Sequence, residues 1–96
     1  MPDFIFLMHG DAPTQANGWE SYLNGLQVAG VFQGGSAIGD GVCCRKQGVP
    51  ASMTASVVGF VRVIAIDLDH AKSLLVGNPV YEAGGTVEIR ELPRED

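Results

Sequence analysis

The residues in this chain whose types and spacing could support chemistry begin with His9 and Asp11. A carboxylate two positions beyond a histidine can orient one ring nitrogen while the other meets a substrate, as general acid/base catalysis near neutral pH requires. The other reading is a strand-end histidine bonded to backbone, with Asp11 as a turn residue. Arg62 is the only charge in the apolar run from Val57 to Ile66, and a guanidinium on an apolar face needs a partner. Glu88 is the nearest candidate, and Arg90 competes for it. The arginine left over could anchor an anionic group of a ligand, against the alternative of a structural Arg–Glu pair. Ser36 has no elbow motif or base at fixed spacing to make it a nucleophile and is read as a ligand contact. Trp19, one helical turn from Tyr22, reads as a core residue that could also wall a pocket beside His9.

Several other features point away from chemistry. His70 falls in an exposed first turn, and adjacent Cys43 and Cys44 read as alternating strand residues in a reducing compartment rather than a redox pair. No His or Cys spacing offers a zinc site, and Gly34-Gly35 and Gly39-Asp40-Gly41 fit a bulge and a turn better than a phosphate loop. Neither a metal nor a cofactor is expected.

The elements that must position these residues follow from periodicity. Residues 3–9, DFIFLMH, are apolar at both alternating positions, the pattern of a strand covered on two sides. Asn17 with Glu20 predicts an N-cap and a helix from about Gly18, with a stripe of Trp19, Tyr22, Leu23, Leu26 and Ala29 and an end at Gly30. Gly25 inside that helix suggests close approach of another backbone. Residues 31–38 and 42–47 flank Gly39-Asp40-Gly41 as the arms of a hairpin, 48–56 is a loop, and 57–66 is the central strand. Asp67 predicts a second N-cap, Leu68, Ala71, Leu74 and Leu75 a buried stripe, and Gly77-Asn78-Pro79 the stop. Residues 86–92 alternate as the last strand, and 93–96 form a frayed tail.

This order, β-α-β-β-α-β, predicts a single α+β domain over residues 1–96 of the ferredoxin-like kind, an antiparallel sheet with both helices on one face. Strands apolar on both sides need a cover on the second face. Another copy of the chain, sheet against sheet, is expected in preference to Phe4, Phe6 and Met8 packing under the 48–56 loop of a monomer. Ninety-six residues hold one core. Charged residues are 18%, below the roughly 25% of globular domains, and 46% of the chain is hydrophobic, which argues against disorder. Six basic residues against eleven acidic give −5, with no basic cluster beyond Arg45-Lys46, so nucleic acid is not an expected partner. The apolar run 4–8 is too short for a signal segment or membrane span, so a cytoplasmic protein without a membrane partner is expected.

Taken in order, His9-Gly10, Trp19 and Gly30, Gly34-Gly35 with Ile38, Gly59-Phe60, Asp67-Leu68-Asp69 with Ala71, Pro79, and Gly84-Gly85-Thr86-Val87-Glu88-Ile89-Arg90 resemble the YCII-related family, including its DGPF branch. The resemblance spans nearly the whole chain. It implies a dimeric α+β barrel and, for some branches, an acid/base role for a His–Asp pair. Trp19 stands where the classical branch tends to carry a histidine, and Pro50–Ser56 replaces the DGPF run. The functional expectation is a homodimer that binds or transforms a small organic molecule in a pocket between the first helix and the sheet by metal-free histidine chemistry. His9 and Asp11 would be catalytic, with Trp19, Ser36, Arg62, Glu88 and Arg90 at the ligand. The alternative is a non-catalytic interaction module with a closed barrel.

Overall fold

A computed structural model describes residues 1–53 and 56–94. The chain forms strand β1 (Asp3–His9), helix α1 (Trp19–Val28), strands β2 (Phe32–Ala37) and β3 (Val57–Ile64), helices α2 (Leu68–Ser73) and α3 (Pro79–Glu82), and strand β4 (Val87–Leu92). The sheet is antiparallel throughout, in the order β2-β3-β1-β4. β3 is interior, as its run of β-branched and aromatic residues requires.

Strand alternation decides what each face carries. Phe4, Phe6 and Met8 of β1 are buried, and Val61 and Val63 of β3 join them on the same side. Tyr22 and Leu26 of α1, Ala71 and Leu75 from α2 and the turn after it, and Val80 of α3 close over this face. Burying each large side chain contributes about 1.5–3 kcal/mol. The opposite face carries Ile5, Leu7 and Phe60, each only half-buried, with Arg62 and Arg90 flanking Ile5 and with Phe60 and Glu88 flanking Leu7. No helix covers it. The radius of gyration is 14.7 Å, within extents of 46 × 41 × 19 Å. That exceeds the value of about 12.5 Å for a chain of this length, as a slab of one sheet and one helical layer should.

The helix ends show which signals acted. At α1 the N-cap is Gly18 in the left-handed conformation with no side-chain cap, and the Asn17 amide donates to Gln15 O instead. The C-terminus follows expectation, with Gly30 at φ 76° and Val31 N bonded back to Leu26 O. Asp67 caps α2 through His70 N at 2.8 Å, and the His70 ring accepts from Ile66 N at 2.9 Å. Of the expected α2 stripe, Ala71 and Leu75 are buried and Leu74 partly so, whereas Leu68 is 53% exposed. Asn78 does more than stop that helix. Its Oδ1 accepts from Val80 N and Tyr81 N and starts α3, an unexpected single turn.

The hairpin differs from expectation. β2 pairs directly with β3, and residues 38–53 contain no strand. The inner edge of β2 can serve only one partner. The eight-residue apolar β3 offers a longer buried surface than Val42–Gln47, whose Val42 is 80% exposed. Cys43 and Cys44 are therefore loop residues, both free thiols. The loop expected over 48–56 is irregular where described, with residues 54 and 55 outside the described residues. The expected frayed tail is anchored at Arg94, which holds Asp3, while Glu95 and Asp96 lie outside the described residues.

Close approach of backbones occurs at Gly35, not at Gly25. A Cβ on Gly35 would lie 2.6 Å from Phe60 O, next to a bulge made by Gly34 at φ 115°, whereas one on Gly25 would meet nothing within 4 Å. Gly35→Ala should therefore destabilise the fold by about 1–3 kcal/mol. Gly25→Ala should stabilise it by roughly 0.4–1 kcal/mol. Urea unfolding of the two variants beside the parent checks both signs.

Candidate functional site

The residues singled out from sequence fall into two groups on opposite faces of the sheet. On the helix-free face His9 Nε2 lies 3.2 Å from Glu88 Oε1, and Arg90 donates to Glu88 Oε2, also at 3.2 Å. The geometry arises from register, since Glu88 stands across from Leu7 and Arg90 across from Ile5. The His9 side chain is 19% exposed and that of Glu88 38%, so the pair is accessible to a solute. Beside His9, across the sheet, is Val57, which with Leu7, Ile38, Met53 and Val58 lines an open cleft under the 38–53 loop. A histidine held by a carboxylate, itself held by a guanidinium, can give or take a proton at its remaining ring nitrogen.

Asp11, expected to orient His9, is engaged elsewhere. Its Oδ1 accepts from Thr86 N at 2.7 Å and its Oδ2 from the Thr86 hydroxyl at 2.6 Å. Together with the bond from His9 N to Thr86 O at 2.9 Å, this clasps the exit of β1 to the entry of β4. The Thr86 hydroxyl and backbone N–H hold the Asp11 carboxyl below its ordinary value of 3.8, with the charge of His9 a minor contribution. The carboxylate that meets His9 is Glu88, on the neighbouring strand. Two sequence-distant residues cannot be matched by spacing alone.

Arg62 also departs from expectation. It is exposed and forms no ion pair among the described residues, because Glu88 is taken by His9 and Arg90. Asp3 is gripped by Arg94 at 2.7 and 3.2 Å, and that guanidinium holds the Asp3 carboxyl low, with Arg62 a minor contribution. A half-wet sheet face can carry an unpaired guanidinium that a closed core could not.

The second group surrounds a pocket of about 360 Å³ between α1 and the β2–β3 half of the sheet. Trp19 and Leu23 of α1 form one wall, Met8 and Val61 of the sheet and Val80 of α3 others, with Gly35 and Gly59 between them on the sheet side. Ser36 also lines it, with its hydroxyl donated to Ala37 O at 2.8 Å. Trp19 meets Tyr22 edge to face, ring centroids 5.9 Å apart at 72°. The Tyr22 hydroxyl donates to Leu74 O at 2.8 Å, and burial pushes its phenol above the ordinary value of 10. No charged residue lines this pocket among the described residues. Met8, Leu23 and Val80 went unassigned in the sequence because apolar residues at core spacing carry no mark of a cavity. The available signal was Gly59, a missing side chain in the middle of the most apolar strand.

Among the described residues no group of three or more His, Cys, Asp or Glu side chains could hold a metal ion, and no helix is long and apolar enough to cross a membrane. No protein-family model matches the chain, and no curated protein sequence does.

The Asp11 clasp yields a pH prediction. A carboxyl whose folded value is depressed stabilises the fold fully above its unfolded value and loses that contribution as pH falls through the folded value. Asp11→Asn, which retains one acceptor but no charge, should lower the melting temperature at pH 7. It should also flatten the decline of melting temperature below pH 3.8, the ordinary value. Thermal unfolding followed by circular dichroism across that range checks this.

Proposed function

We propose that this chain binds a small organic molecule in the pocket between α1 and the sheet. It does so as a YCII-like homodimer, in which two ferredoxin-like halves close their helix-free faces on each other to form a dimeric α+β barrel. The observation that carries the binding reading is the pocket itself, about 360 Å³ walled by Trp19, Met8 and Leu23. Small-molecule sites of mainly apolar lining occupy roughly 300–1,000 Å³. Support for the dimer comes from the half-buried Ile5, Leu7, Phe60 and Ile64 on a face without a helical layer. An apolar face rimmed by polar residues is characteristic of association. The YCII-like reading is supported by the order of the motifs from His9-Gly10 to Arg90 and by the sheet order β2-β3-β1-β4. Two free thiols in one loop, Cys44 exposed, fit a reducing cytoplasm.

A second reading is carried by the 3.2 Å contact between His9 and Glu88. Here His9 is the metal-free general acid/base, Glu88 takes the orienting role expected of Asp11, and Arg90 and the unpaired Arg62 offer positive charge to an anionic group. This chemistry lies on the helix-free face, across the sheet from the pocket, so it is separable from it.

Native mass spectrometry of freshly purified protein tests the first reading. The expected spectrum is a dimer carrying a small-molecule mass that is lost in Ala16→Phe, since Ala16 also lines the pocket and a phenyl ring there would take up its space. A monomer overturns the face-to-face sheet, and a dimer without an added mass favours a non-catalytic interaction module. For the second reading, His9→Ala should abolish turnover while leaving pocket binding intact and the melting temperature within a few degrees. Loss of folding would assign His9 to structure.

A further inference from the structure

We infer that the pocket under α1 selects an uncharged, flat, two-ring aromatic molecule, an inference that rests on the binding reading above and names its ligand class. The first argument is charge. The walls offer Trp19, Leu23, Met8, Val61 and Val80, and no charged residue lines the cavity among the described residues. An ion entering it would lose hydration without gaining a counter-charge, which is costly by several kcal/mol in an apolar surrounding. The His9–Glu88–Arg90 group cannot supply that charge, since its side chains lie on the other face. The net charge of −5 further disfavours an anion.

The second argument is shape. Gly59 lines the cavity from the sheet, where a Cβ would sit 3.2 Å from Ser36 O and 3.6 Å from the Met8 methyl, and Gly35 lines it two residues before Ala37, the partner of Gly59 on β2. The opposing wall is an indole whose orientation is fixed by its edge-to-face contact with Tyr22, itself anchored through Leu74 O. Aromatic rings stack in offset or edge-to-face arrangements with additional stabilisation beyond area burial. A planar ring on the ligand can therefore stack against the held indole, which a branched chain cannot do.

Size follows from volume. A dry apolar cavity of about 150 Å³ takes one benzene, so about 360 Å³ corresponds to roughly fourteen carbons at the same filling. A fused pair of rings with one or two substituents fits within that limit. Among side chains, polar contact comes from the Trp19 indole N–H and from Ser36, whose hydroxyl already donates to Ala37 O and can only accept, enough for a single neutral hydroxyl on the ligand.

Trp19 is the only tryptophan in the chain, so its indole N–H gives one resonance in nitrogen-15-labelled protein and reports occupancy of the pocket. The full-length protein at pH 7 is titrated separately with 2-naphthol, 2-naphthoate and 2-naphthylmethylammonium, three probes of the same ring size that are neutral, anionic and cationic. The expected result is a saturable shift with 2-naphthol, at least tenfold weaker binding of both ions, and loss of the naphthol shift in Ala16→Phe. Equal or tighter binding of either ion overturns the uncharged class while the pocket stands. A naphthol shift that survives in Ala16→Phe overturns the location. No saturable shift with any of the three overturns the binding reading itself. Cyclohexanol matching 2-naphthol in affinity overturns the aromatic requirement alone.

Discussion

Adjacent residues of a β-strand face opposite ways, and in this chain Met8 and His9 are adjacent. The consequence is a division of the protein into two chemically different sides. Met8 goes to the helix-covered core and the apolar pocket, while His9 goes to the bare face with Glu88 and Arg90. Everything on β1 obeys the same division, with Phe4 and Phe6 buried and Ile5 and Leu7 half-buried. A single site containing both Trp19 and His9 is incompatible with it. The core fixes which side is which, because α1, α2 and α3 all pack on the side of Phe4, Phe6 and Met8.

The polar residues are distributed by what that division leaves available. At the strand ends, carboxylates are used as fasteners: Asp11 grips Thr86 at the β1–β4 junction, Asp3 grips Arg94, and Asp67 caps α2. Exposed pairs of this kind contribute little to stability individually, yet they set where loops enter and leave the sheet. Glu88 is different, because its two oxygens serve two partners from neighbouring positions on one face. That sharing leaves Arg62 without an ion-pair partner among the described residues, and it gives His9 a carboxylate from the neighbouring strand rather than from its own loop.

Glycines determine where the sheet can come close to itself and where it stays empty. Gly34 and Gly35 let β2 approach β3 through a bulge that a side chain would block. Gly59, paired with Ala37 two residues farther along β2, lines the pocket that α1 roofs. The same residues thus serve packing at one point and cavity formation at the next. In sequence both look like loop or bulge signals, since a missing side chain records no direction.

By itself the sequence determined the elements with strong local causes. Runs apolar on both faces marked β1 and β3, period-two alternation marked β4, the helical stripe with Gly30 marked α1, and Asp67 with a three-residue reach marked the start of α2. It also contained the two-sided apolar character of the strands, from which the bare face follows. Tertiary structure alone decided the rest, because those outcomes depend on competition between distant partners. β3 displaced 42–47 as the mate of β2, Thr86 claimed Asp11, and Glu88 took His9 across seventy-nine positions. The pocket likewise exists only once α1 spans Gly35 and Gly59. Local propensity is written residue by residue, whereas partner choice is settled by which of several nonlocal contacts buries or satisfies more, and no window of sequence holds both sides of that comparison.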